Sequence, residues 1–210
     1  MKKDLSYMRK DYNRFELLEK DLPENPLQLF HHWFEDAKKD ELILEPNAAT
    51  LSTSDAKSRV VLLKEFNPEG FVFYTNYTSA KAKALAIDPR CSFNFFWLSL
   101  QRQVLIFGNA EKVASAVSDA YFKTRPRESQ LGAWVSDQSS VIPNRTVLEE
   151  RWQALENEFK NREIPRPKHW GGYLIRPLSI EFWQGRSGRL HDRILYEWIN
   201  DNWAHNRLAP

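Results

Sequence analysis

Cysteine is nearly absent from this chain, because Cys91 is the only one among the 210 residues. A single thiol excludes an intrachain disulfide and fits a reducing compartment. Cys91 lies inside the apolar run CSFNFFW, so we expect an inert, buried thiol. The CxxC and HExxH spacings of common metal sites are also absent, and the adjacent His31 and His32 point in different directions on a helix. The sequence therefore predicts no metal centre.

An excess of charge of one sign is missing as well. Thirty Lys and Arg residues face 28 Asp and Glu residues, which leaves a formal net charge of +2. Near-neutral charge disfavours a nucleic-acid partner, because such binding rests on a basic surface. Any anion site must therefore come from local clusters of Arg and Lys.

Long apolar runs are missing too, and no stretch is long enough to cross a bilayer. The N-terminal segment MKKDLSYMRKDYNRFELLEKD is charged and lacks the apolar core of a signal peptide. We expect a cytoplasmic protein without a membrane partner. The glycine-rich loops of dinucleotide-binding folds and of P-loop proteins are absent. What is present, 42% hydrophobic and 13% aromatic residues, is typical of a folded globular protein.

The first regular element follows a polar N-terminal arm, residues 1–22. Asn25 is a predicted N-cap and Pro26 suits the first helical position. Apolar residues of LQLFHHWFEDA then recur at helical spacing, so the sequence predicts a helix here.

Short segments rich in β-branched and aromatic residues dominate the rest of the chain. Predicted strands are TLSTS, SRVVLLKEF, GFVFYTN, CSFNFFWLSL, RQVLIFGNAEKV, GGYLIRPLSIEFWQG, RILYEWIN and WAHNRLAP. Predicted helices are SAKAKALAID, SAVSDAYFKTRP, RESQLGAWVS and NRTVLEERWQALENEFKNR. Helices and strands do not alternate strictly, which favours a mainly β, α+β fold: an antiparallel barrel with peripheral helices, in one domain over residues 1–210.

Phosphate-suited groups gather where predicted strands meet helices. Tyr74, Thr75, Ser79 and Lys81 occupy YTNYTSAK, where hydroxyls, an ammonium group and helix N-terminal N–H groups suit an anion. An ordinary capping turn explains the same residues.

A second group surrounds the proline of KTRPRESQ. Arg125, Arg127 and Ser129, with Tyr121 upstream, are suited to an anion clamp on a rigid turn. A helix boundary with solvated arginines is the alternative.

Two cations on a predicted strand have an odd spacing. Arg59 and Lys64 bracket RVVLLK, so they face opposite sides of a regular strand and suit different ligands, or one of them is an ordinary edge charge.

Neutral hydrogen-bonding groups complete the candidates. Gln103 lies in an apolar strand, where we expect a barrel interior or a pocket, and Gln138, Ser139 and Ser140 lie in a loop. Taken together, these residues suggest two phosphorylated planar ligands side by side.

Several ordered motifs resemble a known family. RVVLLK, FYTN, the RQV strand, YFKTRPRESQLGAW, QSS, WGG, EFWQG, RLHDR and the terminal RLAP are similar to those of the pyridoxine/pyridoxamine 5'-phosphate oxidases, from about Arg9 to Pro210. The resemblance implies an FMN-binding split barrel that works as a homodimer with its sites at the interface. It also implies oxidation of pyridoxamine or pyridoxine 5'-phosphate to pyridoxal 5'-phosphate by FMN and O2, with release of H2O2 and, from the amine, NH3.

The resemblance also implies roles for individual residues. FMN would contact Arg59, Val60, Val61, Leu62, Leu63, Lys64, Tyr74, Thr75, Lys81, Gln103, Gln138, Ser139, Trp183 and Arg193. Substrate would contact Lys64, Tyr121, Arg125, Ser129, Arg189, Leu190 and His191, with Arg9 and Tyr12 of the arm covering the occupied site. Arg189 and His191 would be the catalytic pair facing the substrate ring.

The RLHDR motif allows a geometric prediction. On a strand, Arg189, His191 and Arg193 share one face, while Leu190 and Asp192 point away and Asp192 orients an arginine by charge pairing. A salt-bridged hairpin strand without catalytic chemistry is the alternative.

The chain departs from the family pattern at two places. Ala80 stands where the family commonly has arginine, which predicts weaker retention of FMN unless Lys83 compensates. The turn SDAKS is shorter than the family's usual turn, so the first hairpin is expected to differ locally.

Two other function classes compete with an oxidase. One is a non-catalytic protein that binds B6 vitamers or flavin on the same barrel, and Ala80 is the feature that favours it. The other is a barrel that binds single-stranded nucleic acid through exposed aromatic residues, which the near-neutral charge disfavours.

Overall fold

The computed structural model describes residues 3, 4, 8 and 11–210. Arg9, predicted to cover the site, lies outside the described residues. Among the described residues the helices are α1 (Pro26–Lys39), α2 (Ala80–Ile87), α3 (Ser115–Thr124), α4 (Arg127–Val135) and α5 (Thr146–Glu158). The strands are β1 (Ala48–Thr53), β2 (Ser58–Asn67), β3 (Gly70–Asn76), β4 (Arg90–Trp97), β5 (Arg102–Lys112), β6 (Trp170–Gln184), β7 (Asp192–Ile199) and β8 (Asn202–Leu208).

The strands form one sheet with the hydrogen-bonded order β3-β2-β1-β4-β5-β6-β7-β8. β3 also pairs with β6, which closes six of the strands into a ring. The pairings β2–β3, β3–β6, β6–β7 and β7–β8 are antiparallel. The predicted antiparallel barrel with peripheral helices is therefore confirmed. None of the helices in the described part of the chain combines the length and the apolar character needed to cross a bilayer.

Contacts divide the chain into two compact units. Unit 1 comprises Met1–Thr50, Ser92–Phe107 and Pro177–Pro210, and unit 2 comprises Leu51–Cys91 and Gly108–Arg176. The single domain predicted over residues 1–210 stays a prediction.

The core of unit 1 lies under α1. Asn25 caps this helix, since its side-chain oxygen accepts from the Leu27 N–H at 2.9 Å, and Pro26 follows at the first position as predicted. Burial of the apolar face brings Phe30 to within 5.2 Å of Phe95, measured between ring centroids. The predicted helix and its buried face are confirmed.

In the core of unit 2, helices α3, α4 and α5 pack against the start of β6. Phe122, Leu131, Phe159 and Trp170 are buried together, and Trp152 of α5 packs against them. Burial of these side chains supplies the main free energy that holds the helices to the strands. This packing fixes α3 and α4, which carry candidate site residues.

Two turns set the register of the neighbouring strands. Asn67 and Gly70 bound the predicted β2–β3 turn, and the side-chain oxygen of Asn67 accepts from the Glu69 N–H at 2.9 Å. In the short β1–β2 turn, the Thr53 N–H donates to the Lys57 carbonyl oxygen at 3.1 Å. The shortened first hairpin is therefore closed, and β2 continues through the candidate cofactor segment.

Candidate active site

The first cationic position in unit 2 is centred on Lys81. This side chain is buried, with 8% of its surface exposed, and its Nζ donates to the Thr75 hydroxyl at 3.2 Å. Burial lowers the pKa of Lys81, and the neighbouring Arg59 guanidinium lowers it further. Arg59 is itself held by the Thr53 hydroxyl at 2.8 Å. Two adjacent cations with neutral hydrogen-bond partners make this position suited to a phosphate dianion.

The strand-to-helix junction explains how Lys81 is placed. β3 ends at Asn76 and α2 begins at Ala80, so Thr75 and Lys81 come together across a short turn. The Ser79 hydroxyl accepts from the Ala82 N–H at 3.4 Å. The capping turn weighed as an alternative is therefore present, and it positions Lys81 beside Thr75.

The second cationic position is Arg125, at the junction of α3 and α4. Nη1 of Arg125 is buried and has no hydrogen-bond partner among the described residues. Burial lowers the pKa of Arg125 from its ordinary value. A desolvated guanidinium nitrogen without a partner costs free energy until an acceptor arrives. Its placement therefore suits an anionic ligand.

One cavity in unit 2 is lined by Arg125 and by Thr75, the hydrogen-bond partner of Lys81. Its volume is about 340 Å³. Its lining is Lys64, Tyr74, Thr75, Asn76, Tyr121, Arg125, Ser129, Gly132, Ala133, Ser136, Gln138 and Trp170. The predicted substrate-phosphate residues of unit 2 thus share one cavity with several predicted cofactor residues.

Lys64 reaches the cavity through an irregularity of β2. The register with β3 shifts between Leu63 and Glu65, which places Lys64 at a bulge. Bulges redirect side chains that a regular strand would place elsewhere. Lys64 lines the cavity and Arg59 does not, but because of the bulge the opposite faces predicted for a regular strand do not account for this difference.

Three aromatic rings form the wall of the cavity. Tyr74 stacks on Tyr121 with ring centroids 3.9 Å apart and on Trp170 at 5.3 Å. Burial raises the pKa of Tyr74 to about 12, so its phenol is a neutral donor at ordinary pH. A Cβ on Gly172 would lie 2.8 Å from Tyr74 Cε1, so the close packing of this ring requires glycine.

The loop after α4 is tied to β3. The Gln138 side-chain oxygen accepts from the Thr75 hydroxyl at 3.0 Å and from the Asn76 N–H at 3.4 Å. The neighbouring Ser139 has a φ of 72°, in the left-handed region. Gln138 thus belongs to the wall of the cavity, while Asn76 was not among the predicted residues.

Arg127 does not take part in the predicted anion clamp. Its guanidinium donates to the carbonyl oxygens of Phe159 at 2.6 Å and Arg162 at 3.0 Å. These bonds tie α4 to the segment after α5. The prediction was wrong because two arginines flanking a proline look alike in sequence, although their side chains diverge.

The remaining part of β2 that was predicted to contact the cofactor varies in exposure. Leu63 is buried, Val61 and Leu62 are half-buried, and Val60 is 67% exposed. Any contact they make with a planar ligand involves backbone or apolar surface, because these side chains carry no polar atoms.

Unit 1 places a histidine against aromatic rings. The centroids of Trp183 and His191 are 4.6 Å apart, and Tyr12 lies 6.0 Å from each. His191 Nδ1 accepts from the Arg186 N–H at 3.0 Å. The neutral imidazole therefore keeps its proton on Nε2, the nitrogen that remains for a ligand.

A cavity of about 690 Å³ lies beside this histidine. Its lining is Met8, Asp11, Tyr12, Arg186, Gly188, Arg189 and His191. A Cβ on Gly185 would meet Tyr12 Cδ2 at 2.6 Å, so glycine is needed for the arm to approach. The structure thus brings together the predicted residues Tyr12, Arg189 and His191.

The predicted strand geometry of RLHDR is wrong. Ser187–Arg189 form a 3₁₀ turn, and β7 begins only at Asp192. Gly188 and Arg189 both have left-handed backbones, with φ of 64° and 63°. Alternation along a strand does not apply across such a turn, so Arg189 and His191 do not share a strand face with Arg193. Arg189 and Leu190 are both exposed, Leu190 by 73%.

The two charged residues at the start of β7 are paired. Arg193 Nε donates to Glu181 Oε1 at 2.7 Å, and this pair raises the pKa of Arg193. Asp192 accepts from Arg207 at 2.7 Å and from the Leu17 N–H at 3.0 Å. The charge pairing predicted for Asp192 is confirmed, whereas the ion pair of Arg193 was not foreseen.

Two further predictions concern Gln103 and Cys91. Gln103 is half-buried on the face of β5 opposite the fully buried Val104 and Ile106, so it does not point into the core. Cys91 is buried and its pKa is raised to about 12 by burial, as expected for an inert thiol.

Trp170 and Arg186 are contacts of the candidate site that residue patterns missed. Trp170 was visible only as the first residue of WGG, a motif without an assigned role. Arg186 acts through its backbone N–H, which no side-chain pattern reveals.

Comparisons with known proteins identify the family of this chain. A sequence profile described as "Pyridoxamine 5'-phosphate oxidase" matches residues 36–157, and one described as "Pyridoxine 5'-phosphate oxidase C-terminal dimerisation region" matches residues 170–210. A pyridoxine/pyridoxamine 5'-phosphate oxidase of Christiangramia forsetii is 51% identical, with all of both chains covered. One of Flavobacterium johnsoniae is 52% identical over 98% of this chain and 99% of the relative.

Solved structures share the fold of this chain. The crystal structure of PhzG from Burkholderia lata, in complex with tetrahydrophenazine-1-carboxylic acid, has a TM-score of 0.85 at 28% identity, covering 92% of this chain and 98% of PhzG. A pyridoxamine 5'-phosphate oxidase-related, FMN-binding protein of Nostoc punctiforme has a TM-score of 0.69 at 13% identity, with 90% and 100% covered, which shows the shared fold. The chain is an enzyme of the pyridoxine/pyridoxamine 5'-phosphate oxidase family.

Proposed function

We propose that this protein oxidises pyridoxamine 5'-phosphate and pyridoxine 5'-phosphate to pyridoxal 5'-phosphate. FMN is the cofactor and O2 the final electron acceptor, with release of H2O2 and, from the amine, NH3. The reaction serves the synthesis and salvage of the B6 cofactor, and a cytoplasmic location is part of the same proposal.

The observation that carries the proposal is a pair of cationic positions in unit 2 that have no carboxylate partner among the described residues. Lys81 with Arg59 forms one, and Arg125 with Lys64 forms the other. A reaction between two phosphorylated planar molecules needs two such positions near one aromatic wall. The orphaned Nη1 of Arg125 and the buried ammonium of Lys81 fit this requirement.

The residues divide between cofactor and substrate as follows. Lys81, Thr75 and Arg59 hold the FMN phosphate, because they surround the more buried position. Tyr74, Gln138 and Ser139 contact the rest of the cofactor, as do Val60, Val61, Leu62 and Leu63 of β2. Lys64, Tyr121, Arg125 and Ser129 hold the substrate phosphate.

Unit 1 supplies the groups that face the substrate ring. His191, fixed by the Arg186 N–H, presents its Nε2 proton to the ring substituents. Arg189 lies on an exposed turn and has a flat cation that stacks on a pyridine ring. Leu190 and Tyr12 exclude water beside them.

Gln103, Trp183 and Arg193 complete the cofactor site in the proposal. Arg193 keeps its ion pair with Glu181 and uses its remaining N–H groups for the flavin. When bound, the flavin accepts the hydride and passes the electrons to O2. The protein's part is to position the substrate carbon and to stabilise the negative charge that develops.

A homodimer is part of the proposal. The similarity of residues 170–210 to a dimerisation region supports it. In the proposed dimer the sites lie at the interface between the two copies of the chain.

A direct assay tests the proposal. The purified protein, loaded with FMN, is given pyridoxamine 5'-phosphate in air, and pyridoxal 5'-phosphate, peroxide and ammonia are measured together. Equal amounts of the three products are expected. Binding of flavin and vitamer without any product would instead support a non-catalytic binding protein.

A further inference from the structure

β6 begins with Trp170, Gly171 and Gly172, and Trp170 lines the cavity in unit 2. Trp170 has only 7% of its surface exposed, and the Arg125 guanidinium lies over its ring with Cζ 4.5 Å from the centroid. This contact is short enough for a cation–π interaction. The first residue of the WGG motif therefore places an aromatic face against Arg125, the cation proposed to bind the substrate phosphate.

Arg125 has little else to fix its orientation. Its nearest other ring is Phe122, 5.6 Å from Cζ, and no ion pair to it occurs in the described part of the chain. A buried guanidinium without a carboxylate partner depends on packing for its plane and direction. The Trp170 ring is the flat surface available for this purpose.

The two glycines keep the neighbouring rings in a parallel arrangement. A side chain on Gly171 would collide with the Tyr77 ring, and one on Gly172 would collide with Tyr74. With glycine at both positions, Tyr74 lies at 11° to the Trp170 ring plane. The Tyr74 and Trp170 rings thus stack nearly parallel, and Arg125 contacts this stack through Trp170.

We propose that Trp170 is a positioning residue that orients the Arg125 guanidinium for the phosphate monoester of the substrate. The protein thereby prefers phosphorylated over unphosphorylated ring substrates through a residue that makes no hydrogen bond to the phosphate. The identity of the substrate rests on the proposed function, whereas the coupling between Trp170 and Arg125 does not.

Calorimetric titration of the FMN-loaded protein with inorganic phosphate and with pyridoxine 5'-phosphate tests the coupling. Trp170→Leu removes the ring and is expected to lower the affinity for both ligands on the order of tenfold. Trp170→Phe keeps a smaller ring and should lower the affinity less. In an Arg125→Met background, Trp170→Leu should not lower the affinity for either ligand further. The effects of two substitutions are not additive when one residue acts through the other. In steady-state assays, KM for pyridoxine 5'-phosphate rises while kcat stays within about twofold.

Trp134→Phe is the matched control. Trp134 packs against the same buried cluster and donates from Nε1 to the Pro165 carbonyl oxygen at 2.8 Å. This variant should lower the melting temperature without weakening phosphate binding. A structural role of Trp170 alone would make the two variants behave alike.

Two results would overturn the inference: unchanged phosphate affinity in Trp170→Leu, or an equal loss with and without Arg125. If the wild-type protein oxidises no pyridoxine 5'-phosphate but Trp170→Leu still weakens inorganic phosphate through Arg125, the proposed function fails and the inference stands.

Discussion

Two arginines of the candidate site in unit 2 differ from the ion-paired arginines found in both units. In unit 1, Arg102, Arg186, Arg193 and Arg207 all pair with carboxylates. In unit 2, Arg125 has a buried nitrogen without a partner and Arg59 binds only neutral oxygens. A paired arginine holds the fold together, while an unpaired buried one is ready for an anion from outside. The charge partner, more than the presence of arginine, therefore distinguishes the candidate phosphate positions.

The substitution with the largest expected effect removes the guanidinium of Arg125. Arg125→Met should raise KM for pyridoxine 5'-phosphate by about ten- to hundredfold, because a charge-assisted contact to phosphate is lost. The melting temperature should change little, since the guanidinium makes no ion pair within the part of the chain that the structure describes. Steady-state kinetics and thermal melts measure both quantities.

Arg127→Met is the control for that substitution. Arg127 is two residues away but bonds to the carbonyl oxygens of Phe159 and Arg162. It should lower the melting temperature and leave KM unchanged. A large KM effect from Arg127→Met, equal to that of Arg125→Met, would contradict the division between binding and structural arginines.

A second test breaks the paired network of unit 1. Asp192 accepts from Arg207, from Arg186 and from the Leu17 N–H. Asp192→Asn should lower the free energy of unfolding by about 1–3 kcal/mol, because partly buried charged partners lose their acceptor. Urea unfolding measures this value. An unchanged midpoint would show that the network contributes nothing to stability.

A third test adds a cation to unit 2. Ala80 is exposed at the start of α2, one residue before Lys81. Ala80→Arg should tighten FMN binding by about tenfold, the effect of one added charge-assisted contact. Flavin fluorescence during titration of the apo-protein measures the affinity, and Ala80→Gln separates charge from side-chain length. Equal FMN affinity in all three proteins would mean that a cation at position 80 adds nothing to FMN binding.

The smallest expected effect is a pH dependence in unit 1. The hydrogen bond from Arg207 lowers the pKa of Glu19 from 4.5 to about 2. Because the folded-state pKa is depressed, the stabilisation is present above pH 4.5 and is lost as the pH falls through about 2. Glu19→Gln should flatten the pH dependence of the melting temperature between these values. The difference should shrink in high salt, because the pair is exposed.

The sequence predicted the elements of the fold better than the directions of side chains. α1 followed from Asn25, Pro26 and a helical repeat of apolar residues, all of which are local signals. The turn at Gly188 and Arg189 was missed because left-handed backbone at a non-glycine residue has no reliable pattern. Local signals determine where elements begin, whereas tertiary packing selects the conformation between them.

The candidate site shows the same division. Motifs identified Lys81, Arg125 and His191, since their residue types are chemically distinctive. The partners of these residues come from distant parts of the chain, as when Gln138 accepts from Thr75 across 63 positions. Spacing along a sequence carries no information about such contacts, so Trp170 and the Arg193–Glu181 pair emerged only from the structure.

The buried Cys91 makes the protein convenient for site-specific labelling. A thiol with a pKa of about 12 is almost entirely protonated at neutral pH and reacts slowly with maleimides. Val141 is 99% exposed and lies three positions after Gln138. In a Val141→Cys variant, a thiol-reactive fluorophore would therefore attach at position 141 and leave Cys91 unlabelled. Its emission would report changes in the surroundings of the loop when FMN binds.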